Sequence, residues 1–295
     1  MKFKQEQDHF VVDSYSGEDF SVSIPALHEA LPVTRINTKA FLSCKQIVEL
    51  TLPDSMEEIG DWAFAHMKNL KTLTLPGKQL TFGKNVFLDC TQLEKILISD
   101  TSCPVSGMEY LLASAVTILD KVTLCRPDLA GSSTAYRKWL TLYDDALHSF
   151  LTAPDDFGFD PVFLGWFDVE DFDSQRNRFL IKRRKEKTYL CFLRLLYDGE
   201  LSSDFRRELQ DYLTMHMPAG ALSTEHIIPF TELCQVYNTD VRYLQCIVDA
   251  GYLTPDTIQE LLTGLSDAAL EVKALLLQYQ QQFCKENDFY GGFVL

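Results

Sequence analysis

The stretch "AFLSCKQIVELTLP", beginning at Ala40, returns twenty-three residues later as "AFAHMKNLKTLTLP". The same interval links whole columns of apolar residues. Phe41, Phe64 and Phe87 form one; Ile47, Leu70 and Leu93 form another. Leu50, Leu73 and Ile96 follow in step, then Leu52, Leu75 and Ile98, with Ile36, Ile59 and Phe82 ahead of them and Cys44, Met67 and Cys90 between. A fixed period of this size describes a unit that cannot bury its apolar face alone and must stack on its own copies, which is a solenoid.

The alternation in "LTLP" and "TLTLP" predicts a short strand in each turn, with its leucines facing inward. Pro53 and Pro76 stop these strands, because proline brings no N–H to a ladder. "IGDWAFAHMKNL" then turns the coil back. Degenerate turns are expected at both ends: one with a strand at Val22–Ile24, and one with a strand at Val122–Leu124, closed by Arg126-Pro127. About five strands are therefore expected between residues 20 and 126.

The pattern I-x-x-x-AF-x-x-C-x-x-L-x-x-L-x-LP resembles the BspA-like leucine-rich repeats of bacteria, and "SIPALHEALPVTRINTKAF" looks like that family's usual opening turn. The third turn departs from it, with "FGKNVF" for "IGDWAF" and "ISD" where the proline stands elsewhere. The resemblance covers about a third of the chain. It implies a solenoid that acts by binding proteins and brings no catalytic residues with it. Many relatives are exported surface proteins.

Alternation leaves one row of side chains outside on each strand: Glu49 and Thr51, Thr72 and Thr74, Lys95 and Leu97, Lys121 and Thr123. Solenoids bind on such faces, so these residues are the first candidate contact surface. Threonine also simply suits a solvated strand, which is the plainer explanation of the stripe.

Past Pro127 the period ends and helical spacing takes over. Tyr136, Trp139, Leu140, Tyr143, Leu147, Phe150 and Leu151 step by three and four, predicting an amphipathic helix over Ser133 to Leu151. Further helices are expected at Ser174 to Tyr197 and in "SSDFRRELQDYLTMHMP", "STEHIIPFTELCQVYN", "TDVRYLQCIVDAG", "TPDTIQELLTG" and "DAALEVKALLLQYQQQFCKEN", each with recognisable caps or breakers. The expected fold class is α+β in two domains: a leucine-rich-repeat β-solenoid over 1–126 and an all-α domain of about seven helices over 127–295.

The segment Asp155–Asp173, "DDFGFDPVFLGWFDVEDFD", is dense in acids and aromatics. It is read either as a packed connection or as a loop presenting Phe163, Trp166 and Phe167 to a partner, since aromatics dominate interface energetics. As a calcium loop it fails, lacking the glycine and the distal glutamate. The run "RNRFLIKRRKEK" that follows holds seven basic residues from Arg176 to Lys187. Its charges spread around a helix and the acids just before it are the nearest counter-charges, so internal pairing or plain solvation is expected, with contact to an acidic partner as the alternative.

Charge bounds the partners. The chain of 295 residues carries a net −15; residues 1–126 hold 12 basic and 16 acidic side chains, residues 127–295 hold 15 and 26. Such a chain does not condense onto phosphate backbones, so nucleic acid and anionic lipid are not expected partners and a protein is. No apolar run reaches membrane-spanning length, and the first twenty residues lack the apolar core of a signal peptide. Eight cysteines without a CxxC pair read as buried free thiols of a reducing compartment. The expected location is the cytoplasm; a surface location would require a signal already removed. No GxSxG, HExxH or phosphate-cradling loop is present, and the six histidines are scattered. No metal, cofactor or catalytic set is therefore assigned. A non-enzymatic interaction protein is expected, with an adhesion protein and an enzyme housed in the helical half as the alternatives.

Overall fold

The computed structural model describes the backbone of residues 1–99, 107–119, 133–159, 169–216, 255–265 and 270–291. The chain divides into two compact units, Met1–Phe150 and Leu151–Leu295. The expected boundary at residue 126 and the expected strand Val122–Leu124 lie outside the described residues, as do two of the expected helices, those in "STEHIIPFTELCQVYN" and "TDVRYLQCIVDAG".

The first unit is a β-solenoid of four described layers, each contributing one strand to each of two sheets. The first sheet carries the expected strands β3 (Ser21–Ser23), β6 (Glu49–Thr51), β8 (Thr72–Leu75) and β10 (Lys95–Ile98), all parallel, in the order β10-β8-β6-β3. Their pairing reproduces the period directly: Glu49 lies opposite Thr72, and Thr72 opposite Lys95. Strand β3 sits one residue earlier than expected, yet the Ile24 amide still donates to the Thr51 carbonyl at 3.0 Å.

The second sheet was not anticipated. Strands β2 (His9–Ser14), β5 (Leu31–Ile36), β7 (Glu58–Ile59) and β9 (Thr81–Phe82) run parallel, and β1 (Lys2–Glu6) closes its outer edge as an antiparallel hairpin with β2. The short strand β4 (Leu27–His28) folds back onto β5 through Glu29 and Ala30, both at positive φ. This hairpin absorbs the longer spacing between the first two layers.

Between the sheets, the second and third layers each make two tight turns whose amides ladder onto the next layer. Lys39, Phe41 and Ser43 donate to the carbonyls of Asp61, Ala63 and Ala65; Trp62, Phe64 and His66 donate to Lys84, Val86 and Leu88. Aiming amides along the stack requires left-handed backbone at fixed places. Lys39, Trp62 and Asn85 have φ of 63°, 58° and 53°; Ser43, His66 and Asp89 have 61°, 60° and 58°. Layers approach so closely here that a Cβ on Gly60 would stand 2.6 Å from the Thr38 amide nitrogen.

The interior is built from the repeat columns. Ile36, Ile59, Phe41, Phe64, Ile47, Leu70, Leu73 and Leu75 have no exposed surface. Phe41, Phe64 and Phe87 form a ladder of rings 5.9 and 5.8 Å apart, and Tyr15 stacks on its first member at 5.3 Å. Where the fourth described layer has Ser99 in place of a proline, the Ser99 amide donates to the Leu75 carbonyl at 2.8 Å, a bond that proline forbids.

Helix α1 (Met108–Ile118), also not anticipated, packs against β10 and buries Leu111, Leu112 and Ala115. Helix α2 (Ser133–Thr152) matches the expected helix to within a residue at its end. Its stripe of Tyr136, Trp139, Leu140, Tyr143 and Leu147 is buried as the spacing required, and Tyr143 meets the Ser114 hydroxyl of α1 at 2.8 Å.

In the second unit, α3 (Val169–Leu196) begins about a turn earlier than expected and packs with α4 (Ser203–His216), whose Phe205 amide is capped by the Ser202 hydroxyl at 3.2 Å. Helix α5 (Pro255–Gly264) opens on the expected proline and packs with α6 (Leu270–Gly291). Leu193, Leu209, Leu213, Ile258 and Leu276 supply its apolar interior.

Candidate binding face

The four-stranded sheet turns one set of side chains in and the other out. Val22, Leu50, Leu73 and Ile96 are buried beneath it. Above it, register places Ser21, Glu49, Thr72 and Lys95 in one row and Ser23, Thr51, Thr74 and Leu97 in the next. Parallel strands lie ~4.8 Å apart, so each row is a ladder of side chains at about that spacing. Glu49 and Thr51 are exposed, Thr72 and Thr74 half-buried, and Leu97 stands 41 % exposed at the last strand.

The rows are not electrostatically uniform. The Ser21 hydroxyl donates to the Glu49 carboxylate at 3.1 Å. At the other end, the Lys95 ammonium lies 5.1 Å from the centre of the Tyr110 ring on α1, a cation–π contact that holds it toward the helix. Ser21, Ser23 and Tyr110 belong to this face although sequence spacing did not point to them. Val22 precedes Leu50 by 28 residues rather than 23, which hides the first layer's row. Lys121, Thr123, Phe163, Trp166 and Phe167 lie outside the described residues.

The charged segment of the second unit resolves into internal pairing where it is described. Arg184 reaches Asp155 at 2.8 Å and Arg176 reaches Asp156 at 2.9 Å. Lys187, only 2 % exposed, donates to Asp155 at 2.8 Å and to the carbonyls of Leu151 and Ala153 at 3.2 and 2.6 Å. Burial pushes the Asp155 carboxyl up, but the hydrogen bonds from Arg184 and Lys187 outweigh it and hold the group below its ordinary value. Arg194, fully buried, donates to the carbonyls of Tyr197 and Gly199 past the end of α3.

Chemically reactive arrangements are sparse among the described residues. Cys44, Cys90 and Cys191 are free thiols; burial raises all three, Cys90 to about 11, which keeps them protonated and poorly nucleophilic. His66 meets Asp89 at 3.1 Å and Lys68 meets the same carboxylate at 3.3 Å, and these contacts hold Asp89 below its ordinary range. His66 and Asp89 are one period apart, so this is a rung between layers. No group of three or more metal-ligating side chains is assembled among the described residues. No helix among them is long and apolar enough to cross a membrane.

Two solved structures are similar to about a third of this chain. A structure of a leucine rich repeat protein from T. pallidum is 27 % identical, covering 34 % of this chain and 48 % of its own, with a TM-score of 0.32. A leucine rich cell surface protein from Faecalibacterium prausnitzii A2-165 is 23 % identical, covering 33 % and 29 %, with a TM-score of 0.27. The chain thus spans under half the length of the first and under a third of the second. No curated protein matches. The family model for the BspA type leucine rich repeat region matches residues 21–122 in six copies. With the period, the paired strands and this match in agreement, residues 21–122 are a BspA-type leucine-rich-repeat region.

Proposed function

We propose that this protein is a non-enzymatic protein-binding module whose solenoid presents the outer rows of the four-stranded sheet to a partner. The observation that carries this is the register: Glu49, Thr72 and Lys95, and beside them Thr51, Thr74 and Leu97, stand in two continuous ladders on one solvated face. Repeat proteins of this construction bind on such extended surfaces, and the repeat family is of a protein-binding or adhesion type. The helical half serves as a second surface, so that the whole chain brings a protein partner to something else.

Affinity capture from native lysate with the full chain tests the face. A protein retained by the wild type and lost from the Glu49→Lys, Lys95→Glu double variant supports the assignment. Unchanged retention by that variant removes the face from the contact.

The free thiols of Cys44, Cys90 and Cys191 support a cytoplasmic location. The repeat type favours adhesion as the second reading. Digestion of intact cells with an external protease separates the two: a protected chain supports the cytoplasmic reading, and a cleaved one the adhesive reading.

A further inference from the structure

The two sheets of the solenoid begin differently. The outer edge of one is closed by the antiparallel strand β1, whereas among the described residues β3 is the terminal strand of the other. The hydrogen-bond phase of β3 shows which groups face outward. The Phe20 carbonyl accepts from Val48 and Glu49, and the Ile24 amide donates to Thr51, so residues 20, 22 and 24 turn their backbone toward β6. Ser21 and Ser23 therefore turn both their amides and both their carbonyls away from the sheet. Both residues are exposed. Phe20, at the start of the strand, is 71 % exposed, and Leu27, beyond its end, is 61 % exposed.

We propose that the β3 edge is a strand-addition site for an extended, basic segment of another protein. Two outward donors and two outward acceptors in alternation form the template to which a peptide backbone adds. Phe20 and Leu27 supply apolar surface at the two ends. Charge selects the occupant. From Gln7 to Thr34 the chain has no lysine or arginine, but it has Asp8, Asp13, Glu18, Asp19 and Glu29. Glu18 and Asp19 precede the strand, Glu29 follows it, and all three are exposed. A second copy of this chain would bring the same acids against themselves. A segment in which lysine or arginine alternates with apolar residues meets both the acids and the apolar ends. The site is independent of the strand-face reading, because backbone rather than the outward side-chain rows makes the contact.

The test uses the full-length chain and a capped heptapeptide of alternating lysine and valine, followed by fluorescence anisotropy. A glutamate–valine counterpart and a lysine–valine peptide N-methylated at every amide serve as comparisons. The lysine–valine peptide is expected to bind, and the other two are not. Ser23→Pro removes an outward amide without touching the β6 ladder, and is expected to weaken binding about tenfold with the circular dichroism unchanged. Hydrogen exchange at the Ser21 and Ser23 amides of the wild type is expected to slow when the peptide is added, a readout independent of any variant's folding. The proposal is overturned if the N-methylated peptide binds equally well, if those amides exchange at an unchanged rate, or if no lysine–valine binding occurs up to about 1 mM peptide. A concentration-dependent dimer that Ser23→Pro abolishes overturns it in favour of self-pairing.

Discussion

The layered unit and the helical unit satisfy their buried polar groups by opposite means. Among the described residues, no charged side chain is buried inside the solenoid layers; the buried charges are Lys187 and Arg194, both in the second unit. In the solenoid backbone amides and carbonyls pair between layers and within their tight turns, so the interior can be wholly apolar. A helix satisfies its own backbone except at its ends, where the last carbonyls have no partner within it. Lys187 and Arg194 donate to carbonyls at or just past such helix ends, at Leu151 and Ala153 and at Tyr197 and Gly199. Stacked repeats recruit neighbours for this work, and helices here recruit long cationic side chains.

The sharpest way to break this comparison is to empty the apolar ladder. Phe64 has no exposed surface and touches rings on both sides. Phe64→Ala is expected to cost about 3–5 kcal/mol in urea unfolding of the full chain. A cost below about 1 kcal/mol would show that adjacent layers close the gap and that the column is not the main source of stability.

A middle-sized effect is expected from Lys187→Met, which keeps the apolar stem and deletes the three donors. It strands two carbonyls and one carboxylate contact, at about 2–3 kcal/mol. Followed by hydrogen exchange, the loss should concentrate in the second unit. A neutral result would mean that water reaches those carbonyls and that the buried cation is dispensable.

The smallest expected effect sharpens the solenoid side. Lys39 is exposed and sits at φ 63°. Left-handed backbone costs an ordinary residue about 1–2 kcal/mol, partly offset by the unfolded-state entropy that glycine adds. Lys39→Gly should therefore stabilise the chain by about 0.5 kcal/mol. A destabilisation of that size would show that the ladder of turn amides already compensates the strain.

How much of this could be read from residues alone depended on burial. Columns such as Phe41, Phe64 and Phe87 are legible because each member must be apolar in every layer. The second sheet was hidden because β7 and β9 are two residues long, and one inward residue in each cannot display alternation. Strand β1 mixes exposed and half-buried residues, so its pattern carries little signal. Helix α1 follows a run of strands at regular spacing, and that spacing favoured one more strand. The outer rows of the sheet were legible from alternation, but the Lys95–Tyr110 contact was not, since it joins a strand to a helix outside the period. Lys187 looked like one charge in a basic run. Its role depends on carbonyls 34 and 36 positions away, which no local pattern encodes.

The two ladders of turn amides carry a consequence for how such a chain can change length. Lys39 donates to Asp61 and Trp62 to Lys84, each 22 residues on, and the left-handed positions recur every 23. Adding one residue inside one of these turns would shift the amides that follow it out of line with their acceptors and carry an ordinary side chain into a left-handed slot. Adding a whole layer disturbs neither. Through these turns the solenoid changes length in whole quanta of one layer, and extra residues are taken up away from them, as the β4 hairpin does between the first two layers.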